Sequence, residues 1–386
     1  MRSSCLVLGV AGSMASNQSH HLELPPFSIS GHSSGGSMAS NHFAAFSGTV
    51  TGLGHLQAAP YGCAAQAAPR DRYHLPCTTA PDGLSVDALV AYAAAAHAAG
   101  KIDDPANWAA RNVYLYAGGA DSVVKADVVR KAAELYGRGG GTGTGKVALH
   151  VEPGAQHAFA TDIAGYGNDC GVLASPYINY CGYDMAGAVL AAIYGAGNLA
   201  PRVDPVDSHV VAIDQGKYLA ALGFKKAADA SMAETAYVYV PTACKADPAA
   251  CARIHVVYHG CQSYFGAVAD AIYVHTGYNN WAEANDILLL YPQTVAKLPE
   301  NAAGCWDWYG FLNGDFDTRE GVQIAAVNAM VAGLRETVAG APVQAQLAKY
   351  VFSRSLARPI ATYLPVLSYS RLTRSSTRCS IPLTTN

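Results

Sequence analysis

The chain has 386 residues, of which 51% are hydrophobic and 14% charged, and its formal net charge is -3. Such an apolar, nearly neutral composition is typical of a globular protein with a large core, and it lacks the basic surface that nucleic-acid binding requires. No apolar run approaches the eighteen or so residues that span a bilayer. We therefore expect a soluble protein whose partners include neither nucleic acid nor a membrane.

Strand and helix patterns alternate along the chain. A strand in "PPFSIS" is followed by a Ser- and Gly-rich turn and a helix in "SMASNHFAAFSG". The remaining segments, in order, are the helix "SVDALVAYAAAAHAAG", the strand "NVYLYAGG", the helix "DVVRKAAELYG", the strand "KVALHVEPG", the helix "AGAVLAAIYG", the strands "AYVYVP" and "RIHVVYHG", the helix "NWAEAND", the strand "ILLLYP" and the long helix "VQIAAVNAMVAGLRETV". This alternation predicts an α/β fold with a mostly parallel sheet and helices on both faces.

The chain divides into three predicted parts. Residues 1–16 begin with Met and Arg, continue with a short apolar stretch and end in small residues, the pattern of a short signal peptide. Residues 22–343 are predicted to form a single catalytic domain. Residues 344–386 contain six basic and no acidic side chains and show no sustained period, which predicts a disordered basic tail.

Cysteine usage indicates an oxidising compartment. None of the ten cysteines shows the C-x-x-C spacing of a metal site. Eight of them can be grouped into four couples, and these eight lie among loop-forming residues. We predict four disulfide bonds and a secreted, extracellular protein; the alternative is free thiols in a cytosolic enzyme. The predicted couples are Cys63 with Cys77, Cys170 with Cys181, Cys244 with Cys251, and Cys261 with Cys305, which leaves Cys5 and Cys379 over.

The segment "GGTGTGK", residues 140–146, satisfies most of a phosphate-binding loop pattern. Such a loop must follow a strand and open a helix, because the helix N–H groups bind the phosphate. Here a helix precedes and a strand follows, and Val147 stands where Ser or Thr is required. We therefore predict a surface connection and no nucleotide, and we expect neither a cofactor nor a metal ion.

The stretch "FSISGHSSGGSMAS", residues 27–40, contains the motif G-x-S-x-G with Ser33 at its centre. This motif places a serine at a sharp corner between a strand and a helix, with its hydroxyl exposed. The glycines matter because the corner leaves no room for side chains. A flexible linker is the alternative, since short patterns arise by chance in Gly- and Ser-rich chains. The flanking strand and helix patterns favour the serine corner.

A serine hydroxyl needs a histidine to accept its proton and a carboxylate to orient that histidine. In α/β sheets these groups gather at the carboxyl ends of strands. Asp121 follows "NVYLYAGG", and His157 lies in the Pro-Gly loop after the next strand. We predict Ser33 as nucleophile, His157 as base and Asp121 as its partner, in the chain order of the α/β-hydrolase fold. For Asp121, an Asx turn or helix cap is the structural alternative.

The tetrahedral intermediate of such a reaction requires N–H donors, one of which is the N–H of Ser34, the residue after the nucleophile. In this fold the second donor comes from a loop that begins His-Gly after an early strand. Nothing upstream of Ser33 fits, whereas "RIHVVYHGC" at residues 253–261 does. We therefore predict a circularly permuted α/β-hydrolase fold, which keeps its site when the old and new termini lie near each other.

Six sequence blocks keep one order between about residues 27 and 340: "SGHSSGGSMAS", "AGGAD", "PGAQHAFATD", "NDCGVLASPYINYC", "YHGCQSY" and "GCWDWYG". Together they resemble the secreted fungal polyhydroxybutyrate (PHB) depolymerase, a permuted single-domain α/β-hydrolase. The resemblance implies four matching disulfide bonds and the following roles: nucleophile Ser33, base His157, acid Asp121, oxyanion donors Ser34 and Cys261, and a substrate-crevice tryptophan at Trp306.

Three positions qualify this resemblance. His32 stands where the family has Leu, and Ser37 where it has Tyr, so both bear on substrate preference more than on catalysis. For Trp306 the alternative is that both tryptophans of "GCWDWYG" are core residues.

The resemblance implies an extracellular serine hydrolase that cleaves poly(3-hydroxybutyrate)-type polyester or its oligomers. We expect it to be a monomer. A second enzymatic interpretation is a feruloyl or acetyl-xylan esterase, since unpermuted relatives of the "HGC" half include such enzymes. A third, from another class, is a catalytically silent protein that adheres to surfaces through exposed aromatic side chains. Intact Ser33, Asp121 and His157 argue against the third.

Overall fold

The computed structural model describes residues 24–66, 75–138, 145–247 and 250–338. The predicted signal peptide, the predicted basic tail and most of the Gly-rich loop before Lys146 lie outside these ranges, as do Cys5 and Cys379. The proposed boundaries of the catalytic domain therefore stay predictions.

The strands of the described residues form two sheets. Their bounds are β1 Phe27–His32, β2 Val50–Leu56, β3 Asn112–Gly118, β4 Val147–Glu152, β5 Phe159–Thr161, β6 Asn168–Asp169, β7 Ile178–Tyr180, β8 Val210–Asp214, β9 Thr235–Tyr239, β10 Arg253–Tyr258 and β11 Ile287–Tyr291. The large sheet has the order β4-β3-β2-β1-β10-β11-β9-β8, and β5, β7 and β6 form the small one. From β4 to β11 neighbouring strands of the large sheet run parallel, and β9 is antiparallel to both β11 and β8. The prediction of a mostly parallel sheet is confirmed.

Helices cover both faces of the large sheet. The α-helices of the described residues are α1 Ser34–Ala45, α2 Cys63–Gln66, α3 Val86–Ala98, α4 Ala126–Gly137, α5 Met185–Tyr194, α6 Gly216–Ala221, α7 Thr242–Ala246, α8 Phe265–Val268, α9 Ala271–His275, α10 Tyr278–Asn285, α11 Val322–Ala332 and α12 Leu334–Val338. Val113 and Leu115 of β3 join one core cluster with α1, α3, α4 and α11. Tyr114 and Tyr116 of the same strand join a second cluster with α5, α9 and α10. Successive side chains of a strand point to opposite faces, so two cores flank the sheet.

Strand β2 was not predicted, because its glycines interrupt the strand pattern. The structure explains why glycine occupies these positions: a Cβ at Gly52 would lie 2.7 Å from Ile193, and a Cβ at Gly54 would lie 2.9 Å from Val189. Helix α5 therefore packs against the backbone of β2 itself. The residue that follows this strand, Gln57, belongs to the site described below.

The long helix predicted at the end of the catalytic domain is two helices. Helix α11 ends at Ala332, Gly333 caps it, and α12 begins at Leu334. Glycine has a high conformational entropy cost inside a helix, so an interruption at this position is physically reasonable.

All four predicted disulfide bonds are present: Cys63–Cys77, Cys170–Cys181, Cys244–Cys251 and Cys261–Cys305. In the four ranges given above, no helix is long and apolar enough to cross a membrane.

Candidate active site

Ser33 occupies the corner between β1 and α1, as predicted. Its backbone has φ 57° and ψ -124°, a conformation that is costly for a residue with a side chain and that clusters at functional sites. The flanking glycines allow this corner. A Cβ at Gly31 would lie 2.1 Å from the carbonyl oxygen of Gly35, and a Cβ at Gly35 would lie 2.3 Å from that of His259. The linker alternative for this segment is wrong, because helix α1 begins directly after Ser33.

The three residues predicted to form a triad lie in one hydrogen-bonded chain. His157 Nε2 is 2.8 Å from Ser33 Oγ, and His157 Nδ1 is 2.8 Å from Asp121 Oδ2. Both His157 and Asp121 are buried. Since a carboxylate only accepts hydrogen bonds, Nδ1–H donates to Asp121 and the bare Nε2 accepts from the serine hydroxyl. This is the arrangement that general-base activation of a serine requires.

Asp121 also fulfils the structural alternative considered for it. Its Oδ1 accepts hydrogen bonds from the backbone N–H groups of Val123 and Val124, each at 2.8 Å, which closes an Asx turn after β3. The two interpretations are compatible because they use different oxygens. The turn holds Oδ1, and Oδ2 remains for His157.

The predicted oxyanion loop packs directly against the serine corner. Gly260 follows β10, and a Cβ there would lie 3.3 Å from the Cβ of Ser33. His259 fixes the loop, because its Nδ1 is 2.7 Å from the carbonyl oxygen of Gly260 and its Nε2 lies 3.2 Å from the N–H of Thr294. The pKa of His259 is lowered to about 4, chiefly by burial, so its ring is neutral at neutral pH.

Each of the two predicted oxyanion donors directly follows one of the two residues in this contact. Ser34 is the first residue of α1, and the first N–H groups of a helix have no intrahelical acceptor. Cys261 directly follows Gly260 and is joined to Cys305. The backbone N–H of Trp306 is 3.4 Å from Ser34 Oγ, which connects the segment after Cys305 to the serine corner.

Trp306 itself is fully buried. Its ring packs edge-on against Tyr258, with centroids 4.8 Å apart, and lies 5.2 Å from the ring of His259. These contacts favour the core alternative for Trp306, since no part of its ring is exposed to solvent in this structure. A contact between Trp306 and substrate stays a prediction.

Two residues of the site were not identified as functional from the sequence. Gln57 Nε2 donates to Asp121 Oδ2 at 2.9 Å and to the carbonyl oxygen of Gln156 at 2.8 Å. His32 Nε2 is 3.0 Å from Gln57 Oε1, and the ring of His32 lies 4.8 Å from that of His157. A glutamine after an unpredicted strand carries no sequence signal of its own, whereas His32 was noted as a departure from the family that bears on substrate preference more than on catalysis.

The mostly parallel sheet, the serine corner and the Ser33–His157–Asp121 chain define the class of protein: a serine hydrolase with the α/β-hydrolase fold. No family model matches the chain. It is 32% identical over 325 residues to the polyhydroxybutyrate depolymerase of Talaromyces funiculosus, which covers 81% of this chain and 89% of that protein. The chain belongs to the polyhydroxybutyrate depolymerase family.

Further comparisons agree with this family. The chain is 34% identical over 304 residues to a poly(3-hydroxybutyrate) depolymerase of Delftia acidovorans, and the match covers 78% of this chain but 58% of that relative. The crystal structure of PHB depolymerase from Penicillium funiculosum has a TM-score of 0.68 and 32% identity, covering 83% of this chain and 99% of that one. A serine-to-alanine variant of a PHB depolymerase in complex with an R3HB trimer has a TM-score of 0.69 at the same identity and coverage.

Proposed function

We propose that the chain hydrolyses ester bonds of poly(3-hydroxybutyrate)-type polyester or its oligomers through an acyl-enzyme on Ser33. The observation that carries the proposal is the hydrogen-bonded chain from Ser33 through His157 to Asp121. Membership of the PHB depolymerase family supplies the substrate class, and a solved relative is described as a complex with an R3HB trimer.

In the first half of the reaction, Ser33 Oγ attacks the carbonyl carbon of an ester while its proton passes to His157 Nε2. The negative charge that develops on the carbonyl oxygen is stabilised by the N–H groups of Ser34 and Cys261. His157 then gives its proton to the departing alkoxide oxygen, so one product leaves as an alcohol and the acyl group stays on Ser33.

In the second half, a water molecule takes the place of the alcohol. His157 removes its proton, the hydroxide oxygen attacks the acyl carbon, and the same two N–H groups stabilise the second intermediate. The bond to Ser33 Oγ breaks, and His157 returns a proton to that oxygen. The carboxylic acid leaves and the site is restored.

Three further features belong to this proposal. The fold is circularly permuted, which is supported by the position of β1, the first described strand, between β2 and β10 in the middle of the sheet. The protein is secreted, which is supported by its four disulfide bonds. It acts as a monomer.

Two assays with purified protein test the proposed substrate. Hydrolysis of p-nitrophenyl acetate distinguishes an esterase from a surface-binding protein, and clearing of a PHB suspension distinguishes a polyester hydrolase from an esterase of plant polysaccharide. We expect activity in both assays. Rapid release of ferulate or acetate from xylan without any clearing of PHB would replace the proposed substrate with the esterase alternative.

A further inference from the structure

The carboxylate of Asp121 accepts four hydrogen bonds, and Gln57 supplies the one that comes from outside the triad and its own turn. Oδ1 accepts from the N–H groups of Val123 and Val124, and Oδ2 accepts from His157 and Gln57. We propose that Gln57, oriented by His32, is a positioning residue that holds Asp121 so that His157 faces Ser33. This inference rests on the proposed function of the same site.

Hydrogen-bond chemistry allows one orientation of the Gln57 amide. The carboxylate of Asp121 and the carbonyl of Gln156 only accept, so the NH₂ group must face both of them. Oε1 then faces His32 Nε2, which must carry a proton. The tautomer of His32 is therefore set by Gln57, and the orientation of Gln57 is in turn set by its acceptors.

His32 adds no charge beside the catalytic base. Its pKa is lowered to about 3, chiefly by burial and also by the proximity of His157, so the ring is neutral at neutral pH. A neutral donor can orient the amide without repelling the imidazolium that forms on His157 during the reaction.

The backbone around Gln57 is adapted to this role. Gln57 is fully buried and adopts φ 46°, in the left-handed region that residues with side chains rarely occupy. Its N–H donates to the carbonyl of Tyr116 at 2.8 Å. Gly118 leaves room for the amide, because a Cβ there would lie 2.6 Å from Gln57 Nε2. Local strain and a reserved space at one side chain are typical of a functional position.

Removal of the Gln57 donor leaves His157 as the sole partner of Asp121 Oδ2. The carboxylate and the imidazole are then less firmly aligned, and a displacement of order 1 Å costs up to about 100-fold in rate. The buried amide faces no substrate, so the effect falls on kcat and not on KM.

The test uses Gln57→Asn, because Asn tolerates the left-handed backbone and is one methylene too short to reach both acceptors. With p-nitrophenyl acetate we expect a kcat about 10- to 100-fold below that of the unmodified protein, at unchanged KM. In an Asp121→Ala background the same substitution should change kcat by less than about 2-fold, because residues that act as a unit are not additive. Equal losses in both backgrounds, or wild-type kcat in a folded Gln57→Asn protein, would overturn the proposal.

Three companion variants make the result unambiguous. Gln215→Asn applies the same truncation to a fully buried glutamine whose side chain forms hydrogen bonds only with backbone groups, so it should lower thermal stability and leave kcat unchanged.

His32→Leu removes the donor to Gln57 Oε1 without altering Gln57, and it should lower kcat about 3-fold, again only when Asp121 is present. If Gln57→Asn does not fold, His32→Leu decides. Full turnover by Ser33→Ala would instead refute the proposed function itself, and this inference with it.

Discussion

Cys261 is joined to Cys305 by a disulfide bond, which connects the loop after β10 to the segment that contains Trp306. The backbone N–H groups of Cys261 and Ser34 are the two proposed oxyanion donors. The N–H of Trp306 lies 3.4 Å from the hydroxyl oxygen of Ser34. The bond therefore links the Cys261 loop to the segment that contacts Ser34, so that the positions of the two proposed donors are coupled through Cys305 and Trp306.

Replacement of both Cys261 and Cys305 by Ala should lower both stability and kcat. The bond spans 44 residues of sequence, and a loop of this length corresponds to about 4 kcal/mol in the chain-entropy model. The matched control is the Cys244→Ala, Cys251→Ala double variant, whose bond spans 7 residues and should cost about 2 kcal/mol without changing kcat. Denaturant unfolding and p-nitrophenyl acetate turnover measure the two effects. Unchanged kcat in the first variant would show that the bond does not order the donors.

Gly35→Ala should abolish activity or folding, because its Cβ would lie 2.3 Å from the carbonyl oxygen of His259 and 2.5 Å from that of Tyr258. Either the serine corner or the oxyanion loop must move. Gly137→Ala is the control: apart from its chain neighbours and the backbone of its own helix, no atom lies within 4 Å of its Cβ position, and this change should stabilise the protein by about 0.4–1 kcal/mol. An active, stable Gly35→Ala protein would contradict the close packing of corner and loop.

Trp306→Ala tests whether the tryptophan is part of the core or of a substrate crevice. Since its ring is fully buried, we expect a loss of about 3–5 kcal/mol in stability and a parallel loss of activity on PHB and on p-nitrophenyl acetate. A selective loss on the polymer, with the unfolding temperature unchanged, would restore the crevice role implied by the family resemblance.

Buried histidines make stability depend on pH. Burial lowers the pKa of His255 to about 3 and the pKa of His42 and His55 to about 4. It likewise lowers the pKa of His32 to about 3 and that of His259 to about 4. Between about pH 6.5 and 4 the unfolded chain binds protons at these rings and the folded chain does not. Stability conferred by the neutral rings is therefore complete above pH 6.5 and decreases as the pH falls, by about 1.4 kcal/mol per pH unit for each proton.

Two carboxyl groups act in the opposite direction. Burial raises the pKa of Asp307 and of Asp317 to about 6 from 3.8, so the folded chain binds protons there between about pH 6 and 3.8 that the unfolded chain does not. Five histidines outweigh two aspartates, and we expect the unfolding temperature in scanning calorimetry to fall between pH 7 and 4.5. A constant or rising unfolding temperature over this range would contradict the assignment of neutral buried rings.

The chemistry-bearing residues were predictable because glycines, prolines and strand ends mark them in the sequence. Ser33 follows a strand within a glycine motif, and Asp121 and His157 follow strands in glycine-containing turns. Their contact could not be derived from local patterns, since it depends on the order β4-β3-β2-β1 in the sheet. The prediction used chain order and the family resemblance instead.

The parts that were missed depend on tertiary packing. Strand β2 contains glycines because helix α5 lies against its backbone, and nothing in the local sequence records that contact. Gln57 was overlooked for the same reason, since its role comes from Asp121, which lies 64 residues away in the chain. The burial of Trp306 likewise follows from Tyr258 and His259, which come from another part of the sequence.

The most direct test of the account is the amount of soluble 3-hydroxybutyrate and its oligomers that purified protein releases from a PHB suspension. The unmodified chain should release them steadily, and Ser33→Ala should be slower by at least about 10⁴-fold while keeping the same unfolding temperature. Ser47→Ala changes a buried serine outside the site, whose hydroxyl donates to the backbone carbonyl oxygen of Asp104, and this variant should match the unmodified chain. Release by Ser33→Ala at the unmodified rate, or no release by the unmodified chain, would contradict the account.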